Sequence, residues 1–241
     1  MCRNHCHHII DLHHTRITVF QPTMREIRAV PSAFANSGNS HQAWFEDMID
    51  MNWKKAQKAT GKLVADRIDV QRWADDFFDA ILQANANSHW IGRDLVSGTK
   101  TKFGKQDILK ARAIADVDAE YLQGFIDDIE AGRYTDDEGN LIESQIMNRQ
   151  KLYMGKVRGI AGQATVDNLD VKQKIYWTLG GNEVHCVDCP VLANISPFFK
   201  DDLFTTPGAC DTPCLGNCKC HLRIEMGDTM IETIKPVTLL N

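Results

Sequence analysis

Cysteine is the residue type with the widest chemical reach in this chain, because a thiolate can bind a metal ion, form a disulfide or act as a nucleophile. Six of the eight cysteines in the 241 residues lie between Cys186 and Cys220, and the other two are Cys2 and Cys6. A secreted disulfide scaffold would distribute its bridges along the whole chain, whereas a local cluster in a chain with no recognisable export signal is typical of a metal site. We therefore expect a cross-linked region near the carboxyl end.

The spacing of these cysteines predicts how a metal ion would be held. A C-x-x-C turn, here Cys186 to Cys189, can present two thiolates to one tetrahedral Zn²⁺. Cys218 and Cys220 would complete the shell, with Cys214 as the substitute if the C-x-C geometry is too tight. We predict a structural zinc site on Cys186, Cys189, Cys218 and Cys220. Disulfides and free thiols are the alternatives that the spacing leaves open.

Catalytic use of the cysteines is disfavoured by their context. A redox-active C-x-x-C works at a helix N-terminus in a thioredoxin-like βαβ unit, and the sequence before Cys186 has a helical period without that repeat. A hydrolase pairing Cys186 with His185 or His221 is disfavoured because adjacent residues rarely present nucleophile and base to each other. The sequence contains no glycine-rich phosphate loop and no Ser/His/Asp arrangement. We predict that the protein is not an enzyme.

Composition and charge argue against several other classes of protein. The formal net charge of −5 is far from the basic excess of a dedicated DNA-binding coat. Residues 182–241 carry four basic and eight acidic residues, which argues against a zinc ribbon that contacts phosphates, although a zinc-stabilised nucleic-acid-binding module remains the alternative function. The sequence has no apolar window of about 18 residues and no apolar signal segment at its start, so neither a membrane span nor secretion is expected.

Helical periodicity dominates the middle of the chain. Apolar residues recur at three or four positions from His41 to about Val64, and Asp69 is a suitable N-cap for a second helix with a wide apolar stripe. A third periodic segment ends at Gly132, and a fourth helix is expected from about Glu143 to Asn168. Its glycines Gly155, Gly159 and Gly162 would permit close helix contact, and we interpret its basic run as a solvated face: Arg149, Lys151, Lys156, Arg158, Lys172 and Lys174.

After residue 170 the pattern changes from helix to strand. The segment from Lys172 to Leu179 has the β-branched and aromatic content of a strand, and residues 222–226 alternate apolar and polar side chains as its partner. An earlier turn in a small hairpin is expected between Tyr134 and Ile142. The predicted fold is mainly α with a small α+β, cysteine-rich C-terminal lobe. It divides into an extended N-terminal arm (1–40) that does not contribute to the fold, a helical body (41–170) and the lobe (171–241).

The lobe sequence carries a recognisable string. It runs through Trp177-Thr178-Leu179, His185-Cys186-x-Asp188-Cys189-x-x-Leu192-Ala193, Leu203, Pro207-Gly208 and Thr212-Pro213-Cys214-Leu215-Gly216-Asn217-Cys218-Lys219-Cys220-x-Leu222. This string resembles the C-terminal part of tailed-phage minor head proteins of the Mu-type head morphogenesis family. Tyr153, Arg158 and Thr165 stand where that family has a preceding helical region with Arg and Tyr. The resemblance covers roughly residues 145–225.

The resemblance implies a structural protein of the phage head. It would be present in a few copies per virion, assembled in the cytoplasm of a bacterial host, and would act in head assembly or genome delivery without catalysis. The implied partners are the portal protein and the major capsid protein, with weak contact to packaged DNA and none to a membrane. Interfaces of this kind centre on exposed aromatic anchors, and the candidates near element ends are Trp44, Trp90 and Phe198-Phe199.

Overall fold

The computed structural model describes residues 26–29, 40–97, 100–181, 184–209, 211–214 and 218–237. Within these ranges the chain forms five helices and three strands, in the order α1 (His41–Val64), α2 (Val70–Val96), α3 (Lys105–Glu130), α4 (Glu143–Asp167), β1 (Ile175–Thr178), α5 (Asp188–Ile195), β2 (His221–Met226) and β3 (Thr229–Glu232). The fold is mainly α with a small three-stranded sheet and a cysteine-rich C-terminal region, as predicted. Below, α1–α4 are called the helical body and residues 171–237 the cysteine lobe.

Local sequence signals fix the ends of the long helices. The Ser40 hydroxyl accepts a hydrogen bond from the Ala43 N–H and caps α1, and the Asp69 carboxylate accepts one from the Arg72 N–H at the start of α2. Gly132 follows α3 with a φ of +74°, a conformation that favours glycine and stops the helix. The four long helices and the Asp69 cap were predicted from the sequence, and all are confirmed.

The core of the helical body is aromatic and lies around α2. This helix packs against α1, α3 and α4. Trp73 is fully buried, stacks on Phe77 and meets Phe125 edge to face with ring centroids 5.1 Å apart. Burial of such rings contributes strongly to folding, so the packing of this wide apolar stripe against the other helices stabilises α2.

The backbones of α2 and α4 come close together at Gly92. A Cβ built on Gly92 would lie 2.0 Å from the carbonyl oxygen of Ala161, so no other residue fits without displacing a helix. The Thr165 hydroxyl donates to the Gly92 carbonyl at 3.0 Å and ties the same crossing. The glycines of α4 serve a different contact: Gly159 and Gly162 face Ala209 and Thr206 of the cysteine lobe. The expected close approach at these two glycines is confirmed, but their partner is a loop and not a helix.

The sheet of the cysteine lobe is an antiparallel meander in the order β1-β2-β3. Trp177 pairs with Leu222 and Ile175 with Ile224, so the predicted pairing of the two strands is confirmed. The strand β3 and the helix α5 were not predicted. The small hairpin is confirmed by a bridge between Thr135 and Leu141 around a turn that Asp136 stabilises by accepting backbone hydrogen bonds.

Most of the predicted N-terminal arm, with both of its cysteines, lies outside the described residues. Residues 26–29 form neither helix nor strand, and Ile27 is buried against the core of the helical body. The Gln83 side chain accepts from the Arg28 N–H at 3.0 Å and donates to the Glu26 carbonyl at 2.9 Å. The expectation that the first forty residues do not contribute to the fold is therefore wrong for this segment, because Gln83 of α2 binds its backbone directly.

Three of the four predicted aromatic anchors are also wrong. Trp44, Trp90 and Phe198 are 5%, 7% and 7% exposed, and the two tryptophan rings meet edge to face. Only Phe199, at 43%, presents its ring to solvent. No helix among the described residues is long and apolar enough to span a membrane.

Candidate metal centre

Five cysteine side chains converge in the cysteine lobe. The Sγ atom of Cys186 lies 3.2 Å from that of Cys189 and 3.4 Å from that of Cys214. Cys189 lies 3.7 Å from Cys214 and 3.8 Å from Cys218. The sulfurs of Cys189, Cys218 and Cys220 are all within 4.8 Å of one another. The cluster thus consists of two triads that share the buried Cys189.

Short elements bring these side chains together. Cys186 precedes α5 and Cys189 lies in its first turn, so both sulfurs are presented at the same end of one helix. Cys218 and Cys220 stand immediately before β2, whose residues 221–224 pair with all four residues of β1. The backbone of Gly180 after β1 passes so close to Lys219 that a Cβ on Gly180 would lie 2.1 Å from the Lys219 carbonyl oxygen. This contact holds the Cys218–Cys220 turn against the end of β1.

The sulfur separations suit metal coordination. Tetrahedral thiolates at a Zn–S distance of about 2.3 Å stand about 3.8 Å apart, and the four sulfur separations given above lie between 3.2 and 3.8 Å. A disulfide requires about 2.05 Å, and all five cysteines are free thiols. The cluster can hold a metal ion, as expected for the region between Cys186 and Cys220.

The choice of four ligands among the five cysteines stays a prediction. The predicted set of Cys186, Cys189, Cys218 and Cys220 draws on both triads and places Cys189 at their junction. Cys214, predicted as a substitute, is as close to Cys186 as a ligand of the same ion would be. The Thr212 hydroxyl lies 3.2 Å from its sulfur and helps to orient it.

The thiols shift one another's acidity. The contact between Cys218 and Cys220 shifts the pKa values of the two thiols in opposite directions. Together with burial it raises the pKa of Cys218, and it lowers the pKa of Cys220 to about 5. Burial raises the pKa of Cys189, and its contacts with Cys186 and Cys220 add to that rise. Burial would also raise the pKa of Cys186, but its hydrogen-bonding contacts with Cys189 and Cys214 outweigh burial and lower the pKa. Each triad therefore contains one acidified thiol, and a bound dication would displace the remaining protons.

A buried arginine adjoins the cluster. Arg158 of α4 is 5% exposed, and its guanidinium donates to the carbonyl oxygen of Cys220 at 2.6 Å and to that of Cys218. Burial lowers the pKa of Arg158, whereas the thiols of Cys218, Cys220 and Cys214 oppose that shift. The interpretation of this residue as part of a solvated basic face is wrong. A signal was present in the sequence, because its i−4 and i+3 neighbours, Met154 and Ala161, are apolar.

The C-x-x-C motif does lie at the start of a helix, where redox-active pairs are found. Its thiols, however, share their surroundings with Cys214, Cys218 and Cys220, which is typical of a ligand cluster and not of an isolated pair. The neighbouring residue His221 faces a carboxylate of Glu232 at 3.7 Å. Comparisons of the chain with protein-family models, with curated proteins and with solved structures found no match.

Proposed function

We propose that this chain is a structural minor head protein of a tailed bacteriophage, which associates with the portal and major capsid proteins during head assembly or genome delivery. It acts by association and not by turnover, and its place is the phage head. The resemblance of residues 145–225 to the Mu-type head morphogenesis family is the origin of this proposal. The observation that carries it is the way in which the residues of that resemblance pack together.

Several residues of the string that carries the resemblance pack together. Trp177, Leu192, Leu203 and Leu222 belong to the same buried cluster, which also contains three of the cysteines: Cys189, Cys218 and Cys220. Leu215, Gly216 and Asn217 of the string lie outside the described residues. Residues of the string that lie far apart in the sequence thus share one core, as expected if the string belongs to a single structural module. This packing supports the proposal that the lobe acts as such a module.

The lobe's metal is proposed to be a structural zinc ion. The two cysteine triads, which share Cys189 and contain no histidine or carboxylate, form a soft donor set that favours zinc. Such an ion would link α5, the Cys214 loop and the turn before β2. A lobe with strands of four to six residues needs such a link, because its apolar core is small.

Exposed apolar side chains of the lobe supply the proposed contact with larger rings. Phe199 and Phe204 are 43% and 72% exposed. Val187, immediately before α5, and Val191 and Ile195 within α5 are spaced four residues apart and are also exposed. Exposed aromatic rings of this kind are preferred anchors of protein interfaces, so Phe204 replaces the buried Phe198 in the proposed surface.

The experiment is a co-assembly assay with the portal and major capsid proteins of the phage that encodes this chain. The wild-type chain should co-purify with portal rings or heads, and Phe199→Ser with Phe204→Ser should reduce incorporation while leaving the far-UV circular dichroism unchanged. The matched control replaces two exposed apolar residues of α3, Leu109→Ser with Val117→Ser, and should be incorporated normally.

Absence of the wild-type chain from assembled heads and portal rings would refute the proposal. Normal incorporation of the Phe199/Phe204 variant would move the interface elsewhere on the molecule. Salt-sensitive retention of the chain on DNA without any portal contact would favour the alternative, a zinc-stabilised nucleic-acid-binding module.

A further inference from the structure

We propose that Arg158 is the counter-cation of the thiolate centre, and that through it metal binding and the attachment of the cysteine lobe to the helical body become one coupled event. This inference deepens the proposed zinc centre and rests on it. Its starting point is a positive charge in a place where none is expected: a guanidinium that is 5% exposed, on a helix of the body, against the backbone of two cluster cysteines.

A buried guanidinium is unfavourable unless an anion balances it. Among the described residues, no Asp or Glu forms an ion pair with Arg158, whereas the fully buried carboxylates have cationic partners: Asp107 pairs with Arg93, and Asp118 with Lys156. The groups beside Arg158 that can carry negative charge are the thiols of Cys214, Cys218 and Cys220. Arg158 is therefore held by hydrogen bonds against the cysteine turn, where thiolate ligands of a bound metal ion would balance its charge.

The charge balance favours a metal–thiolate centre over a disulfide. Four thiolates around a divalent ion carry a net charge of −2, which the guanidinium reduces to −1. A disulfide is neutral, so it would leave Arg158 buried without a counter-charge, whereas metal-bound thiolates supply one. The same guanidinium would offset part of the repulsion among the thiolates and thereby raise the affinity for the metal.

Arg158 also fixes the position of the ligands. Its two terminal nitrogens bind the carbonyl oxygens of Cys218 and Cys220, which hold the C-x-C turn in one conformation. The loop at Gly208 closes over it: Gly208 has a φ of +86°, and a Cβ there would lie 3.1 Å from the guanidinium. Gly159, the next residue on α4, packs against the backbone of Ala209. The arginine thus joins α4 of the body to the metal-binding turn of the lobe.

The test compares Arg158→Met with Arg158→Lys in the full chain loaded with zinc. Competition with a chromophoric chelator should show that Arg158→Met weakens zinc binding by about 10- to 100-fold, the usual range for an outer-shell partner of a metal site. Arg158→Lys should lose less, because it keeps the charge but not the two-pronged hydrogen bond. The matched control is Lys156→Met, which removes a positive charge from the same helix, where it pairs with Asp118, and should leave zinc affinity unchanged.

Cobalt substitution distinguishes this role from that of a ligand. The sulfur-to-cobalt charge-transfer bands should keep their intensity in Arg158→Met at saturating cobalt, because the coordinating sulfurs are the same. Loss of those bands even at saturating cobalt would mean that the sulfurs no longer converge on the metal without Arg158, and would overturn its role as counter-cation of an assembled site. Equal zinc affinities of the wild type and Arg158→Met would overturn the inference, whereas a wild-type chain that binds no zinc would instead refute the zinc centre itself.

A measurement on the wild type covers the case in which Arg158→Met does not fold. Removal of zinc by a chelator should increase amide hydrogen exchange in both partners of the contact, the turn at residues 218–220 and α4 around Arg158. Trp53 of α1 is buried in the aromatic core of the helical body, and the exchange rates of the amides around it should change little. Faster exchange confined to the lobe, with α4 unaffected, would show that metal binding and lobe attachment are not coupled.

Discussion

The helical body and the cysteine lobe reach a folded state in different ways. The body buries many large apolar side chains, Trp53, Trp73, Phe45 and Phe125 among them, in a core formed by helices of 24 to 27 residues. The lobe has one short helix and strands of four to six residues, and cysteines are three members of its buried cluster. The free energy of apolar burial does not depend on bound metal and changes little with pH near neutrality. The contribution of the cysteine side chains to stability depends on their protonation and on the metal that they bind. The stability of the helical body should therefore be insensitive to metal, whereas the stability of the cysteine lobe should depend on it.

The largest expected effect concerns the shared cysteine. Cys189→Ser should abolish metal binding, because Cys189 belongs to both triads, and it should remove metal-binding free energy on the order of 10 kcal/mol from the lobe. Limited proteolysis should then cut within residues 184–220 while the helical circular dichroism persists. Chelation of the wild type should have the same effect. A variant with unchanged zinc content by elemental analysis would contradict this prediction.

A comparable break in the body should be indifferent to metal. Trp73→Ala removes a fully buried ring and its hydrogen bond to the Thr60 hydroxyl, and should lower the free energy of unfolding by about 4 kcal/mol. Urea unfolding followed by tryptophan fluorescence and circular dichroism measures the loss. Zinc stoichiometry should stay the same, and a loss of zinc in this variant would show that the two regions do not differ as described.

The body also contains a charged cluster that does not involve metal. Asp107 is fully buried, accepts hydrogen bonds from Arg93 and from the Gly104 N–H, and lies 2.7 Å from His89 Nδ1. Burial would raise the pKa of Asp107, but these hydrogen bonds outweigh it and lower the pKa below the usual 3.8. The carboxylate therefore stabilises the fold above the unfolded pKa of about 3.9, and that contribution is lost as the pH falls through the lower folded value.

Asp107→Asn should consequently lower the free energy of unfolding by about 3 kcal/mol at neutral pH, because it leaves the Arg93 guanidinium beside a neutral group. Its unfolding free energy should also depend less on pH below about 4 than that of the wild type. Thermal melts across the acid range measure both effects. A variant with the wild-type acid dependence would show that another group controls the acid unfolding.

The smallest effect probes the contact between the two regions. Gly159→Ala places a Cβ 2.5 Å from the Ala209 backbone nitrogen and should destabilise by about 1–3 kcal/mol, because backbone cannot yield cheaply. Gly124→Ala in α3 has open space around its Cβ and should stabilise by about 1 kcal/mol. Chemical denaturation should give changes in the free energy of unfolding of opposite sign for the two variants. Changes of the same sign would mean that the contact between Gly159 and Ala209 is loosely packed.

The sequence determined most of what depends on near neighbours. The apolar period identified the four long helices, Asp69 and Gly132 marked two of their ends, and the alternation of residues 222–226 identified a strand and its partner. These features follow from contacts within a few residues, where side-chain spacing and backbone conformation decide the outcome. The concentration of cysteines likewise predicted a cluster that can hold a metal ion.

Only the tertiary structure decided which side chains meet across the chain. Trp44 lies against Trp90, which left neither ring exposed as an anchor, and of two adjacent phenylalanines Phe198 is buried and Phe199 is not. Arg158 was grouped with a basic surface, although α4 directs it at the carbonyls of Cys218 and Cys220, 60 and 62 positions away. The physical reason is the same in each case: exposure and charge pairing depend on what packs over a residue, and here the covering segments come from distant parts of the sequence.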